Sequence, residues 1–282
     1  MARNLGWLVA LVACTDAAVD DTGDPDDTGD TAVVLPDAPA PPMVRGVHLA
    51  PGLAAGCDLD GDTGTTADQY AACIVLFVAD GQTPIDDAAF PFGASSGFLP
   101  LPITGTYTFH AVPYNTFLAD PTGSNTEEQR VASFPLTVLP ETVQTFIAYG
   151  HPAYSNTGLA IVDDDISPPT AGKARFRLFH GAYAASAAAP DVNLGSTIAA
   201  SDLPYATFST AIEVDPGVGL TVLIDTNQDA DPDLVALVDL AADTSYDLYI
   251  VNVPPTSVPS GFLGFLHTPV SQVPVLAPFG PI

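Results

Sequence analysis

The sequence has 282 residues, which is enough for one large domain or for two of about 110 residues each. Acidic residues outnumber basic ones by 33 to 6, giving a net charge of -27. This balance argues against nucleic-acid binding, because recognition of phosphates needs Lys and Arg. The negative charge remains compatible with cation binding and with solubility outside the cell.

The composition favours an all-β protein. Hydrophobic residues make up 47% of the chain, so a core can form despite the charge. The acidic residues comprise 29 Asp and 4 Glu, and the chain also has 28 Pro and 23 Gly. Asp, Pro and Gly favour turns over helices, and we find no amphipathic helical pattern of useful length.

The N-terminus resembles a bacterial lipoprotein signal over residues 1–13. A short, weakly basic start is followed by the apolar run Leu5–Val12, which is too short to span a bilayer. It leads into Leu11-Val-Ala-Cys14, which is similar to a lipobox and implies that Cys14 is lipidated. Two or three acyl chains give stable membrane anchoring. The alternative is an ordinary signal peptide with a chance Cys.

Residues 14–42 are predicted to be a lipidated, disordered spacer rich in Asp, Thr, Gly and Pro. Blocks of like charge repel one another and Pro-rich runs are extended, so this segment cannot form a packed core. Thr15 follows the Cys where an Asp would suggest inner-membrane retention, so we expect the outer membrane. We therefore predict an exported protein that is held to the cell envelope by its lipid.

An internal repeat organises the rest of the chain. The segment 44–50 (VRGVHLA) returns as 176–182 (FRLFHGA), with the pattern R-x-x-H inside an apolar run. Near the end of each copy, 144–149 has a counterpart in 246–251. We predict a first β-sandwich over 43–163, a linker over 164–172 and a second β-sandwich over 173–282.

Short apolar runs between turn residues predict the strands of both sandwiches, which we expect to be Ig-like. Along 106–112 the alternation predicts a half-buried strand with His110 directed outward. The predicted strands are 74–79, 97–101, 106–112, 131–139, 144–149, 191–194, 208–214, 220–225, 234–240 and 246–251.

The first copy carries an insertion of roughly fourteen residues after its opening strand, judged from the repeat spacing. Cys57 and Cys73 flank it. Since Cys14 is assigned to lipid, these two are left to form a disulfide in an exported protein, with a stabilisation of about 3 kcal/mol. Free buried thiols are the alternative.

A known family shares the junction between the copies. The segment 160–180 (AIVDDDISPPTAGKARFRLFH) resembles the junction between tandem copies of the bacterial "domain of unknown function 4397". The resemblance extends to the opening strand at 44–51 and covers roughly 43–282. It departs at 181–183 (GAY) and in the insertion. The family implies an exported β-rich domain, often lipid-anchored, with no established activity.

Two Asp-rich segments are candidate calcium sites, because oxygen side chains alternate along them. Neither has the Gly and Glu of an EF-hand, and turn chemistry between strands explains them equally well. The candidate ligands are Asp58, Asp60 and Asp62 in the insertion, and Asp225, Asn227, Asp229, Asp231 and Asp233 in the second copy.

Catalytic patterns are weak. Gly93-Ala-Ser95-Ser-Gly97 matches G-x-S-x-G, but two prolines follow where the required helix would begin. We interpret His48, His180 and the other three His as structural, since their spacing suits no zinc site. The only Trp, Trp7, lies in the signal, which weakens an interpretation as a sugar-binding module.

We therefore expect a non-catalytic surface lipoprotein with no certain cofactor, acting in structure, adhesion or ligand display. The expected partners are the membrane, through the lipid, and a surface protein or extracellular polymer. One alternative is calcium-assisted binding of a polysaccharide or other polymer through the loops of the second copy. The other is a serine hydrolase using Ser95.

Overall fold

The computed structural model describes the chain from Pro42 to Pro281 with gaps. The described residues are 42–50, 74–78, 92–96, 98–100, 104–113, 132–150, 157–182, 189–252, 262–268 and 275–281. They form strands and turns, with no helix among them, which confirms the all-β fold class.

Among the described residues, seven strands precede the predicted linker. They are β1 (Met43–Leu49), β2 (Ile74–Val78), β3 (Leu99–Pro100), β4 (Gly105–Pro113), β5 (Ala132–Val138), β6 (Val143–Tyr149) and β7 (Gly158–Asp163). Sheet 1 has the strand order β3-β1-β6-β7, and sheet 2 has the order β2-β4-β5.

Ten strands follow. They are β8 (Ala174–Gly181), β9 (Asp191–Leu194), β10 (Thr197–Ala200), β11 (Ile212–Val214), β12 (Gly217–Asp225), β13 (Leu234–Leu240), β14 (Thr244–Asn252), β15 (Phe262–His267), β16 (Val275–Pro278) and β17 (Gly280–Pro281). Sheet 3 has the order β11-β8-β14-β15-β16, and sheet 4 has the order β10-β9-β12-β13-β17.

The pairing pattern of sheet 1 recurs in sheet 3. The opening strand β1 pairs in parallel with β6 and antiparallel with β3. In the same way, β8 pairs in parallel with β14 and antiparallel with β11. A parallel pair needs a long crossover connection, and in both cases the chain visits the other sheet before it returns.

The inner strands β8 and β14 of sheet 3 contribute buried side chains to both faces. One face contributes Phe176, Leu178 and Leu248 to a core shared with sheet 4. The other contributes Phe179 and Tyr249 to a core shared with β1 and β6 of sheet 1. Successive side chains of a strand point to opposite faces, so one strand can serve both cores.

The sequence explains why β13 and β14 occupy different positions. Along β13 (LVALVDL), buried and more exposed residues alternate, as expected for a strand with one covered face. In β14 (TSYDLYIVN), the last seven residues are all buried, which is typical of a central strand covered on both sides. The charged residue within that buried run is Asp247.

One expectation about orientation is wrong. His110, expected to point outward from β4, is only 4% exposed. One of its ring nitrogens lies 2.8 Å from Oγ of Ser133, its register partner on β5. A His can occupy a buried strand position when a neighbouring hydroxyl satisfies its ring, and a polarity pattern alone does not reveal that neighbour.

Candidate functional site

Two Arg and two Asp side chains meet between sheets 1 and 3. Nη2 of Arg45 lies 2.5 Å from Oδ2 of Asp247, and Nε of Arg177 lies 2.5 Å from Oδ1 of the same carboxylate. Arg177 also pairs with Asp164, which follows β7. One carboxylate on β14 therefore joins an Arg of the first half of the chain to an Arg of the second.

Strand register places these groups. Arg45 on β1 lies opposite Thr145 on β6, and Nε of Arg45 donates to Oγ1 of Thr145 at 2.9 Å. Arg177 on β8 lies opposite Asp247 on β14. Thr145 in turn donates to Asp164. The cluster is thus connected through both sheets by hydrogen bonds.

Arg45 is the largest fully buried side chain among the described residues, at 1% exposure. Its guanidinium stacks on Phe98, with 4.9 Å between Cζ and the ring centroid. The guanidinium of Arg177 stacks on Phe208 in the same way, with 4.1 Å between Cζ and the ring centroid. Within the described part of the chain, Nη1 of Arg45 has no hydrogen-bond partner. A cavity of about 50 Å³ borders the cluster, a space on the order of a few water molecules.

The electrostatics keep Asp247 ionised. Burial opposes ionisation of Asp247, but the guanidiniums of Arg45 and Arg177 outweigh it and hold the pKa of this carboxyl below its ordinary value. Burial also raises the pKa of Tyr249, whose hydroxyl donates to Asp247 at 3.3 Å. The carboxylate is therefore charged and fully engaged, an arrangement that suits packing better than proton transfer.

The two R-x-x-H segments make the same main-chain hydrogen bonds. The N–H of His48 donates to Ala94 O, and that of His180 donates to Thr207 O. The N–H of Gly93 donates back to His48 O, as the N–H of Ala206 does to His180 O.

A Ser hydroxyl also recurs beside each of these strands. Oγ of Ser96 accepts from the N–H of Gly46, and Oγ of Ser209 accepts from the N–H of Leu178. Each Ser N–H donates back to the carbonyl of the same strand residue. Each opening strand is therefore held at its edge by an equivalent segment.

The two His residues themselves are buried. Nδ1–H of His180 donates to Leu203 O at 3.2 Å, and burial lowers the pKa of the ring. His48 lies edge-on to Phe92 at 6.2 Å between ring centroids. In each strand the Arg and the His point to opposite faces, because they are three residues apart.

Ser95 lies in a main-chain bridge with Val47 and is buried. Strand β3 begins at Leu99, close after Ser95, where a nucleophile elbow requires a helix. Gly93, with φ of +87°, accepts a 2.7 Å hydrogen bond at its carbonyl from Nε2–H of His267 on β15. This segment therefore contributes to the packing of sheet 1 against sheet 3.

The Asp-rich segment of the second copy is the turn between β12 and β13. Asp225 is buried and its carboxylate accepts from the N–H groups of Asn227, Gln228 and Ala230, at 3.2, 2.7 and 2.8 Å. Asp233 accepts from both the N–H and the hydroxyl of Thr226.

Two further candidate ligands of this turn also accept hydrogen bonds from main-chain donors. Oδ1 of Asn227 accepts from the N–H of Asp229, and Oδ1 of Asp229 accepts from the N–H of Asp231. Among the residues that the structure describes, no group of three or more His, Cys, Asp or Glu side chains is arranged to hold a metal ion. Turn chemistry therefore already uses side-chain oxygens of Asp225, Asn227, Asp229 and Asp233.

Several predicted features lie outside the described residues. They are the signal at 1–13, the spacer up to residue 41, the lipidated Cys14, the disulfide Cys57–Cys73, and the acidic residues Asp58, Asp60 and Asp62.

Sequence reasoning missed the carboxylates of the buried cluster. The available signal was the Arg in each repeated segment, at a position where an apolar strand faces a core. Such an Arg requires a buried counter-charge, but the sequence does not reveal which of 33 acidic residues supplies it. The structure identifies Asp164 and Asp247.

Comparison with known proteins supports the resemblance over part of the chain. The family model described as Domain of unknown function (DUF4397) matches residues 74–193, from the start of β2 into β9. The match therefore includes the junction at 160–180, but covers less than the range 43–282 over which the resemblance was expected. Comparison with curated proteins finds no significant match. In the described part of the chain, no helix is long and apolar enough to cross a membrane.

Proposed function

We propose that this chain is a non-catalytic surface lipoprotein, held to the outer membrane by lipid on Cys14 and carrying a β-sheet module at the end of an acidic spacer. The module acts in envelope structure, adhesion or ligand display. The lipobox-like sequence before Cys14 and the acidic spacer support the location. The family match supports it indirectly, since the resemblance implies an exported domain.

We also propose that the module consists of two copies of one Ig-like sandwich, over 43–163 and 173–282. The recurring strand pairing and the recurring edge hydrogen bonds at His48 and His180 support this assignment. A duplicated unit presents two related surfaces on one anchor, which suits a display or adhesion role.

The observation that supports the non-catalytic role is the pairing of the buried charges with one another. Arg45, Arg177 and Asp247 form ion pairs that connect sheet 1 to sheet 3. A catalytic acid or base must reach a substrate, whereas this carboxylate is directed between two sheets and paired on both oxygens. This pairing connects one half of the module to the other.

Lipidation of Cys14 is tested by detergent phase partitioning of the full chain expressed in a Gram-negative host, together with metabolic labelling by a fatty-acid analogue. We expect wild type to enter the detergent phase and to carry the label. Cys14→Ala should lose both, while Cys57→Ala should keep both as a matched cysteine control.

The same samples decide against the proposal if Cys14→Ala is labelled and partitions as wild type does. Whole-cell protease accessibility then tests the surface location separately: the lipidated chain should be cleaved on intact cells. Protection until the outer membrane is permeabilised would place the module on the inner side and exclude a role in display.

A further inference from the structure

We infer that the slot between β13 and β16 binds an extended, cationic segment of another protein, which adds to β13 as a further strand. This inference goes beyond the proposed anchoring and module function, and it holds whether or not Cys14 is acylated. It concerns the opening between sheets 3 and 4, whereas the buried arginine cluster lies between sheets 1 and 3.

The edges of β13 and β16 contribute to the walls of the slot. β17 pairs with β13 only at Leu234 and Val235, and no other described strand pairs with the outer edge of β13 beyond them. β16 pairs with β15 on one side, and among the described strands its second edge has no partner either. An unpaired strand edge is a template for an added strand.

The space between these edges is large enough for a peptide. The slot has a volume of about 520 Å³, within the range of about 300–1,000 Å³ that is usual for ligand sites. The part of β13 that lines it, Leu237 to Asp239, lies beyond the two residues that pair with β17.

The lining is apolar and exposed. Leu237 is 63% exposed, and Leu276 on β16 is 60% exposed. Leu266 and Ala277 line the interior of the slot and are buried. Exposed apolar side chains next to an open strand edge mark an interaction site, since they would otherwise promote aggregation. Alternating apolar side chains of an added strand would meet this lining.

Charge identifies the partner. The charged residue that lines the slot is Asp239, and neither Lys nor Arg lines it among the described residues. The whole chain carries a net charge of -27. A second copy would be repelled by this charge, as would the acidic segment 16–42 of the chain itself. A segment that alternates apolar residues with Lys or Arg complements both the lining and the charge.

The test uses the full chain and three synthetic peptides of about eight residues, a typical strand length. The first alternates Val with Lys, the second alternates Val with Glu, and the third is the Val-Lys peptide N-methylated at alternate residues. Affinities are measured by calorimetry, and amide hydrogen exchange is followed at Ala236–Leu240. We expect binding by the first peptide alone, with slower exchange along β13.

Matched variants locate the site. Leu276→Gln should weaken binding of the Val-Lys peptide by about tenfold or more, as loss of an interface anchor does. Ile198→Gln removes an equally exposed apolar side chain from β10 and should leave the affinity unchanged. Asp239→Asn should reduce the salt dependence of binding.

Three outcomes would overturn the inference. They are equal binding of the Val-Glu peptide, undiminished binding of the N-methylated peptide, and absence of binding by the Val-Lys peptide. Sedimentation of the chain alone tests whether a second copy occupies the slot. A dimer that dissociates in Leu276→Gln but persists in Ile198→Gln would assign the slot to that second copy instead.

Discussion

The Nη2 atom of Arg45 lies 2.5 Å from Oδ2 of Asp247, although 202 positions separate these residues in the sequence. Arg45 belongs to the opening strand of the first half, and Asp247 to the central strand of sheet 3. Because Asp247 also binds Arg177, the equivalent Arg of the second half, one carboxylate serves both repeated arginines. The two arginines of the duplicated pattern R-x-x-H thus share Asp247, and both also pair with Asp164.

Removing this carboxylate charge should destabilise the protein strongly. Asp247→Asn leaves two guanidiniums buried without their principal counter-charge, and such a loss costs about 3–5 kcal/mol. Lys173→Met breaks an exposed pair with Asp215 and should cost less than about 1 kcal/mol. Urea unfolding of both variants checks this comparison. Equal losses in the two would mean that the buried cluster contributes no more than a surface ion pair.

Gly93 should tolerate no side chain. An added Cβ would lie 2.2 Å from Cε1 of Phe265, and φ at this residue is +87°. Gly93→Ala should therefore lower the free energy of unfolding by about 3 kcal/mol, combining overpacking with backbone strain. Gly172→Ala is the control, because its φ is +80° but a Cβ there would meet nothing within 4 Å. Thermal unfolding should show a clearly smaller loss, of about 1 kcal/mol, in the control.

Stability should decline in mildly acidic solution partly through His180. Burial lowers the pKa of His180 below its ordinary value of 6.5, so the folded protein keeps the ring neutral where the unfolded chain is already protonated. The unfolded state then binds more protons, and stability falls as the pH falls from 6.5 towards the folded pKa. His180→Asn, which can still donate to Leu203 O, should show a shallower decline. Denaturant unfolding across pH 5 to 7 measures the two slopes, and identical slopes would refute the assignment.

Asp225 should stabilise the turn between β12 and β13 whether or not calcium is present. Asp225→Ala leaves three main-chain N–H groups without their acceptor and should cost about 2 kcal/mol. Asp231→Ala, in an exposed part of the same turn, should cost little. Melting temperatures are compared in calcium and in a chelator. A rise with calcium in wild type that Asp225→Ala abolishes would instead support the calcium-binding alternative.

Periodicity identified most of the strands that end at clear turn signals. The predicted strands 191–194 and 234–240 coincide with β9 and β13, and the turn predicted after residue 225 joins β12 to β13. Strands without such a pattern were missed, including β7, β10 and β15–β17. β15 (FLGFLH) is too uniformly apolar, and β16 (VLAP) is too short, to show alternation. Only pairing with neighbouring strands identifies them as strands.

By itself, the sequence determined the all-β class and the two positions where an Arg and a His recur. Turn residues, apolar runs and a repeat are local properties, and local properties can be read along the chain. Only the tertiary structure decided what the arginines do. Their partners come from strands that long crossovers bring together, and the choice of Asp247 among 33 acidic residues follows from strand register and from the packing of sheet 1 on sheet 3.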